Sequence, residues 1–138
     1  MVQKVSAPTM VGRGVRRRCG RCGAKAAFDG HFKLAERCRS CGYQFAREEG
    51  FFTGVYIINY VVVSVLLVIE VFAYLAVSVI GDSTAPLLPW LVAAVAIAIV
   101  FPILMYPRAA TTWAALDLAM RPLEPVEEAE AALHAAEG

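Results

Sequence analysis

Histidine is scarce in this sequence: His31 and His134 lie in different segments, and neither belongs to an H-E-x-x-H pattern. A phosphate-loop glycine pattern is missing as well. These absences remove the common metalloprotease and nucleotide-hydrolase motifs. Cysteine occurs only between positions 19 and 41, and no C-x-x-C pair is followed by His, which excludes covalent haem attachment. Charge is nearly missing from the middle of the chain: between Phe51 and Pro107 the only acids or bases are Glu70 and Asp82. No apolar run precedes Phe51, so no secretory signal peptide is expected, and Val2 excludes N-myristoylation.

What is present follows from those gaps. Apolar residues make up 59 % of the 138, against roughly 45–50 % in globular domains. The excess sits in two apolar runs, one from Gly54 to Ile80, interrupted only by Glu70, and an uncharged one from Pro89 to Pro107, separated by a turn at Gly81–Pro86. About 20 helical residues cross the hydrocarbon layer, so each run predicts a transmembrane helix. Pro102 interrupts the second run and predicts a kink, because it cannot bond the Ala98 carbonyl.

The net charge of +1 hides a strong asymmetry. Residues 1–50 hold eleven basic and four acidic residues, a net +7, whereas residues 108–138 carry a net −4. The connecting turn has no Lys or Arg. The positive-inside rule then predicts both termini in the cytoplasm.

All four cysteines fall in two C-x-x-C pairs, Cys19/Cys22 and Cys38/Cys41, with fifteen residues between them. That spacing is a zinc-ribbon pattern, and in a reducing compartment thiolate ligation is favoured over disulfides. Structural zinc is the expected cofactor. The competing readings are free thiols, an iron site or a redox dithiol. Gly23 and Gly42 suit the tight turns after each pair. Ala27-Phe28 and Phe32-Lys33-Leu34, around Asp29-Gly30, predict two short strands with Phe28, Phe32 and Leu34 as a small core. His31 reads as a strand or turn residue, since four cysteines already close a tetrahedron.

The expected fold is therefore a small β zinc ribbon followed by a membrane α-helical hairpin. The chain divides into a flexible tail (1–15), a cytoplasmic ribbon (16–50) and a two-helix hairpin (51–107). An interfacial or continuing helix (108–121) and an acidic Ala/Glu-rich tail (122–138) follow. In the fourth segment Trp113, Leu116 and Met120 fall on one helical face, and Asp117–Arg121 makes an i, i+4 pair. Within the first span, Tyr56, Asn59, Glu70 and Tyr74 share one face, an intramembrane polar site either for a proton or cation or for helix–helix hydrogen bonding.

Several pieces resemble a bacterial family of uncharacterised membrane proteins, domain-of-unknown-function family 983. They are the RCGRCG knuckle, GHFKLAERCRSCG, the REEGFF junction, the two spans and YPRAATTWAALDLAMRPLEP. The resemblance implies fold and location but no reaction, with assembly of a membrane complex, respiratory complexes included, as a role it suggests. With no catalytic apparatus in the sequence, a non-enzymatic interaction module is expected. Its partners would be the bilayer and a larger membrane complex or a second copy. The alternatives are a membrane-tethered nucleic-acid-binding ribbon and a redox or ion-handling protein.

Overall fold

The computed structural model describes residues 5–25, 27–30, 32–81 and 85–137. His31 and residues 82–84 of the connecting turn lie outside these. In chain order the elements are α1 (Ala7–Val15), β1 (Phe28–Asp29), β2 (Lys33–Leu34), α2 (Phe51–Ile80), α3 (Leu87–Met120) and α4 (Pro125–Glu137). They form two compact units, one of Met1–Tyr56 with Tyr106–Gly138 and one of Ile57–Met105.

The second unit is a helical hairpin. α2 and α3 are each long and apolar enough to cross a membrane. Their large side chains point outward: Tyr60, Phe72, Val79 and Leu88 are exposed, and Ile80 reaches 82 %. Contiguous apolar surface on that scale is unstable in water and stable in lipid. Inside the hairpin, Asn59 is only 8 % exposed, and its Nδ2 donates to the Pro102 carbonyl at 2.9 Å. The Tyr74 and Trp90 rings meet edge-on at 5.6 Å. α3 continues through Pro102 as one helix.

The first unit, the head, holds the buried core. It contains the four-cysteine ribbon, α1, α4 and the ends of both long helices. α3 has 34 residues, about 51 Å at 1.5 Å each, well beyond a hydrocarbon layer of about 30 Å. Its surplus is the 108–121 segment, which continues the helix as far as Met120. The face it buries is made mostly of small residues. Ala110, Thr111, Ala114, Ala115 and Leu118 are buried, whereas Met120 is exposed. Small residues win here because backbone packs directly on them. A methyl group added to Gly14 would sit 2.6 Å from the Thr111 carbonyl, and one added to Gly20 would sit 3.0 Å from the Ala115 side chain. Trp113 instead covers Gly54 of α2, at a distance no side chain on Gly54 would allow.

The ribbon's core also differs from expectation. Phe28 pairs with Leu34 across β1 and β2, but both are only half-buried, and Phe32 is exposed beyond the turn. The buried residues are Ala27, Ala35, Tyr43 and Phe45. Two-residue strands cannot cover a core of their own, so the ribbon packs instead through the segment after its second cysteine pair. Tyr43 and Phe45 meet edge-on at 5.4 Å, and the Tyr43 hydroxyl donates to the Ala114 carbonyl of α3 at 3.3 Å. Burial raises the Tyr43 phenol above its ordinary value.

Two segments read as tails are helical. Ala7–Val15 forms α1 because the Ser6 carbonyl accepts from the Thr9 and Met10 amides at 3.0 and 3.1 Å, and Pro8 presets the first turn. Thr111 Oγ1 then donates to the Gly14 carbonyl at 2.7 Å. A nine-residue helix is marginal alone, so this docking is what sustains it. Pro125–Glu137 forms α4, with Pro125 opening it and Glu127 reaching back to the Glu124 amide at 2.9 Å, the return half of a capping box. Ala131 of α4 is buried, its carbonyl against Gly42.

Candidate metal centre

The two cysteine pairs are held by the same turn, built twice. In the first, the Cys19 amide donates to the Ala24 carbonyl (2.9 Å) and the Gly23 amide to the Cys19 carbonyl (2.8 Å). In the second, the Cys38 amide donates to Tyr43 (2.8 Å) and the Gly42 amide to Cys38 (2.8 Å). Gly23 and Gly42 close the two turns with φ of 79° and 68°, a region that penalises any Cβ. The repeat is visible in the sequence as R-C-x-x-C-G at 18–23 and 37–42.

The turns bring the four sulfurs together. All four Sγ atoms lie within 4.8 Å of one another. Cys19 and Cys41 are 3.8 Å apart, and Cys22 and Cys38 are 3.7 Å apart. A tetrahedron with metal–sulfur bonds of about 2.3 Å has edges of about 3.8 Å, so the donors are spaced for one tetrahedral ion. No disulfide links them.

Electrostatics point the same way. Without a cation the four thiols cannot all ionise. Hydrogen bonds from Cys19 lower Cys22 to about 6 and pull Cys38 down further, while hydrogen bonding to Cys22 pushes Cys19 far up. Cys41 is also raised. A divalent ion would let all four sulfurs bind as thiolates, which the crowded thiols alone do not allow. The donor set fits a thiophilic metal. It leaves no fifth ligand position, so such an ion would serve to hold structure.

The cage is braced by arginines. Arg13 of α1 donates to the Gly20 and Arg21 carbonyls at 3.3 and 3.0 Å, and Arg21 donates to the Cys41 carbonyl at 3.2 Å, tying the two knuckles together. Below the second knuckle, Arg47 donates to Asp117 Oδ2 through Nε (3.2 Å) and a terminal nitrogen (2.8 Å), to Glu127 (3.2 Å) and to the Arg121 carbonyl (2.8 Å). Arg47 and Asp117 side chains are only 11 % and 7 % exposed. Burial works against the Arg47 charge, but the hydrogen bonds to Asp117 together with the nearby Tyr43, Asp117 and Glu127 charges outweigh it and raise its pKa. Asp117 also takes the expected i, i+4 bridge from Arg121 at 3.2 Å.

The intramembrane residues come together less completely. Asn59 and Tyr74 make the inter-helix contacts described above, whereas Tyr56 is exposed and assigned to the head. Glu70 has a buried oxygen, and it has no hydrogen-bond partner among the described residues; one Asn59 oxygen and the Ser78 hydroxyl are likewise unpaired. Asn59, not Glu70, makes the polar link between the helices.

Fold and site together define a two-helix membrane hairpin with a ribbon whose four clustered cysteines could hold a metal ion. The chain belongs to the family described as "Protein of unknown function (DUF983)", whose model matches residues 28–117. The match takes in the second cysteine pair, both long helices and Asp117; the first pair lies before it. No curated protein and no solved structure matches the chain.

Proposed function

We propose that this chain is an integral inner-membrane protein whose head, with both termini, lies in the cytoplasm, and that it works by interaction and not by catalysis. Zinc is the metal, held by Cys19, Cys22, Cys38 and Cys41 for structure. The role is that of an assembly or interaction module for a larger membrane complex, for which respiratory complexes are the first candidates. The observation that carries this reading is the closed sulfur cage: it has tetrahedral spacing, and every ligand position is filled from the chain itself. A site of that kind stabilises a surface and leaves no place for a reactive water. The cytoplasmic orientation is supported by the distribution of Lys and Arg, eleven before α2 and none between Gly81 and Pro86.

Purification of the tagged full chain in mild detergent tests the role. A larger membrane complex should co-purify in fixed proportion and should be lost with Cys38→Ser. A pure monomer recovered under several detergents would contradict it.

A further inference from the structure

Five of the head's arginines pair with its own acids. Arg21 pairs with Glu128 (4.0 Å), Arg37 with Glu130 (3.5 Å), Arg47 with Asp117 and Glu127, Arg39 with Asp29, and Arg121 with Glu48. The acidic C-terminal helix thus answers three arginines of the basic N-terminal segment. Among the described residues, Arg13, Arg16, Arg18, Lys25, Lys33 and Arg108 pair with no carboxylate. Of these, Arg16, Arg18 and Lys25 lie together.

Those three line two adjoining hollows. The larger, about 590 Å³, runs along α1 and is lined by Pro8, Thr9, Gly12, Arg13, Arg16 and Arg18. The smaller, about 300 Å³, is lined by Arg16, Arg17, Lys25, Phe28 and Gly30. Arg16 borders both, and neither contains an acid. By contrast, the hollow beside α4 mixes Arg47 and Arg121 with Glu48, Asp117, Glu124 and Glu127.

We propose that the groove of Arg16, Arg18 and Lys25 is a binding site for the phosphate of an anionic phospholipid headgroup. Guanidinium groups match phosphate oxygens in a bidentate fork, and Lys25 adds a point charge. Nucleic acid would present phosphates too, but single-strand recognition also needs aromatic faces for bases to stack on. The aromatic ring lining the hollows is Phe28, and its face is covered by the Arg17 guanidinium, 5.0 Å from the ring centroid. The chain's two membrane-length helices keep it at a lipid surface, where headgroups are at high effective concentration. The choice of lipid rests on the membrane assignment; the acid-free groove does not.

The test uses the full chain in neutral detergent, titrated with phosphatidylglycerol and, separately, with phosphatidylcholine. Phosphatidylglycerol should bind more tightly, and added salt should weaken it. Arg16→Gln with Arg18→Gln should reduce its affinity about thirtyfold, roughly fivefold per cation. Lys25→Gln alone should cost about fivefold. Lys33→Gln, an equal charge change on an exposed strand position outside both hollows, should leave affinity unchanged. Unaltered metal content in each variant shows that the head is intact. Equal binding of the two lipids, or an equal loss with Lys33→Gln, would overturn the site. A short single-stranded RNA that binds tighter than phosphatidylglycerol and displaces it would reassign the groove to nucleic acid. A chain that stays monodisperse without detergent would defeat the membrane assignment instead, whatever the groove binds.

Discussion

The same two helices behave as different materials in the head and in the hairpin. Between Ile57 and Met105 they carry Val, Ile, Leu and aromatic residues outward and bury almost nothing. From Pro107 to Leu118, α3 switches to Ala and Thr on its packed face, and Gly14, Gly20 and Gly42 let backbone press against helices. The hairpin needs only lipid and internal backbone bonding to persist. The head has too few large apolar residues to fold on burial alone, so it combines close packing, arginine–carboxylate pairs and the sulfur cage. Changes in the two regions should therefore separate cleanly.

The largest separation is expected from Cys38→Ser. Binding of a structural zinc contributes about 10–16 kcal/mol in small zinc-dependent domains, more than a whole domain's usual stability. Metal content should fall from about one per chain to near zero, and the head should become protease-sensitive while detergent-resistant α-helix in the hairpin persists. Arg47→Ala comes next, because it leaves the buried Asp117 with only the exposed Arg121 for a partner: about 3 kcal/mol by chemical unfolding of the head. Met at 47 with Leu at 117 should recover most of that loss, since an apolar pair removes the stranded charge.

Two glycines sharpen the comparison within the head. Gly42 and Gly30 both have positive φ, 68° and 89°, but only Gly42 has a neighbour, the Ala131 carbonyl of α4. Gly30→Ala should cost about 1–2 kcal/mol from backbone strain alone. Gly42→Ala should cost more, with α4 released, read as faster amide exchange over Pro125–Glu137. The smallest effect belongs to the hairpin. Asn59→Leu removes the hydrogen bond to Pro102, and such bonds are worth about 0.6 kcal/mol in membranes. Metal content should not change.

The sequence made the architecture readable for physical reasons. Four cysteines at zinc-ribbon spacing and two apolar runs of membrane length permit few folds, and both appear. The Asp29–Gly30 turn and the Asp117–Arg121 pair were also legible, since each depends on neighbours a few positions apart. What escaped depends on residues far apart. Tyr43 and Phe45 form the ribbon core because α3 supplies the other wall, which local periodicity cannot show. The spacing of Trp113, Leu116 and Met120 shows that they share a helical face, but it cannot show that backbone approach packs the alanines of α3 instead. The helices α1 and α4 do leave local traces: Ser6 with Pro8, and Pro125 with Glu127, are helix-start signals, and the Ala/Glu composition of the C-terminal tail allows a partial helix there. The charge asymmetry is answered in part within the head, where Arg21, Arg37 and Arg47 pair with acids of α4, contacts between residues some eighty positions or more apart that local reading cannot show.

The central claim is that the four sulfurs hold one tetrahedral ion around which the head is organised. X-ray absorption at the zinc edge of the purified full chain measures this most directly. Four sulfur neighbours at about 2.3 Å, with one zinc per chain, are the predicted result. A metal-free chain carrying a reversible disulfide between the cysteines, or a first shell containing nitrogen or oxygen in place of a sulfur, would contradict it.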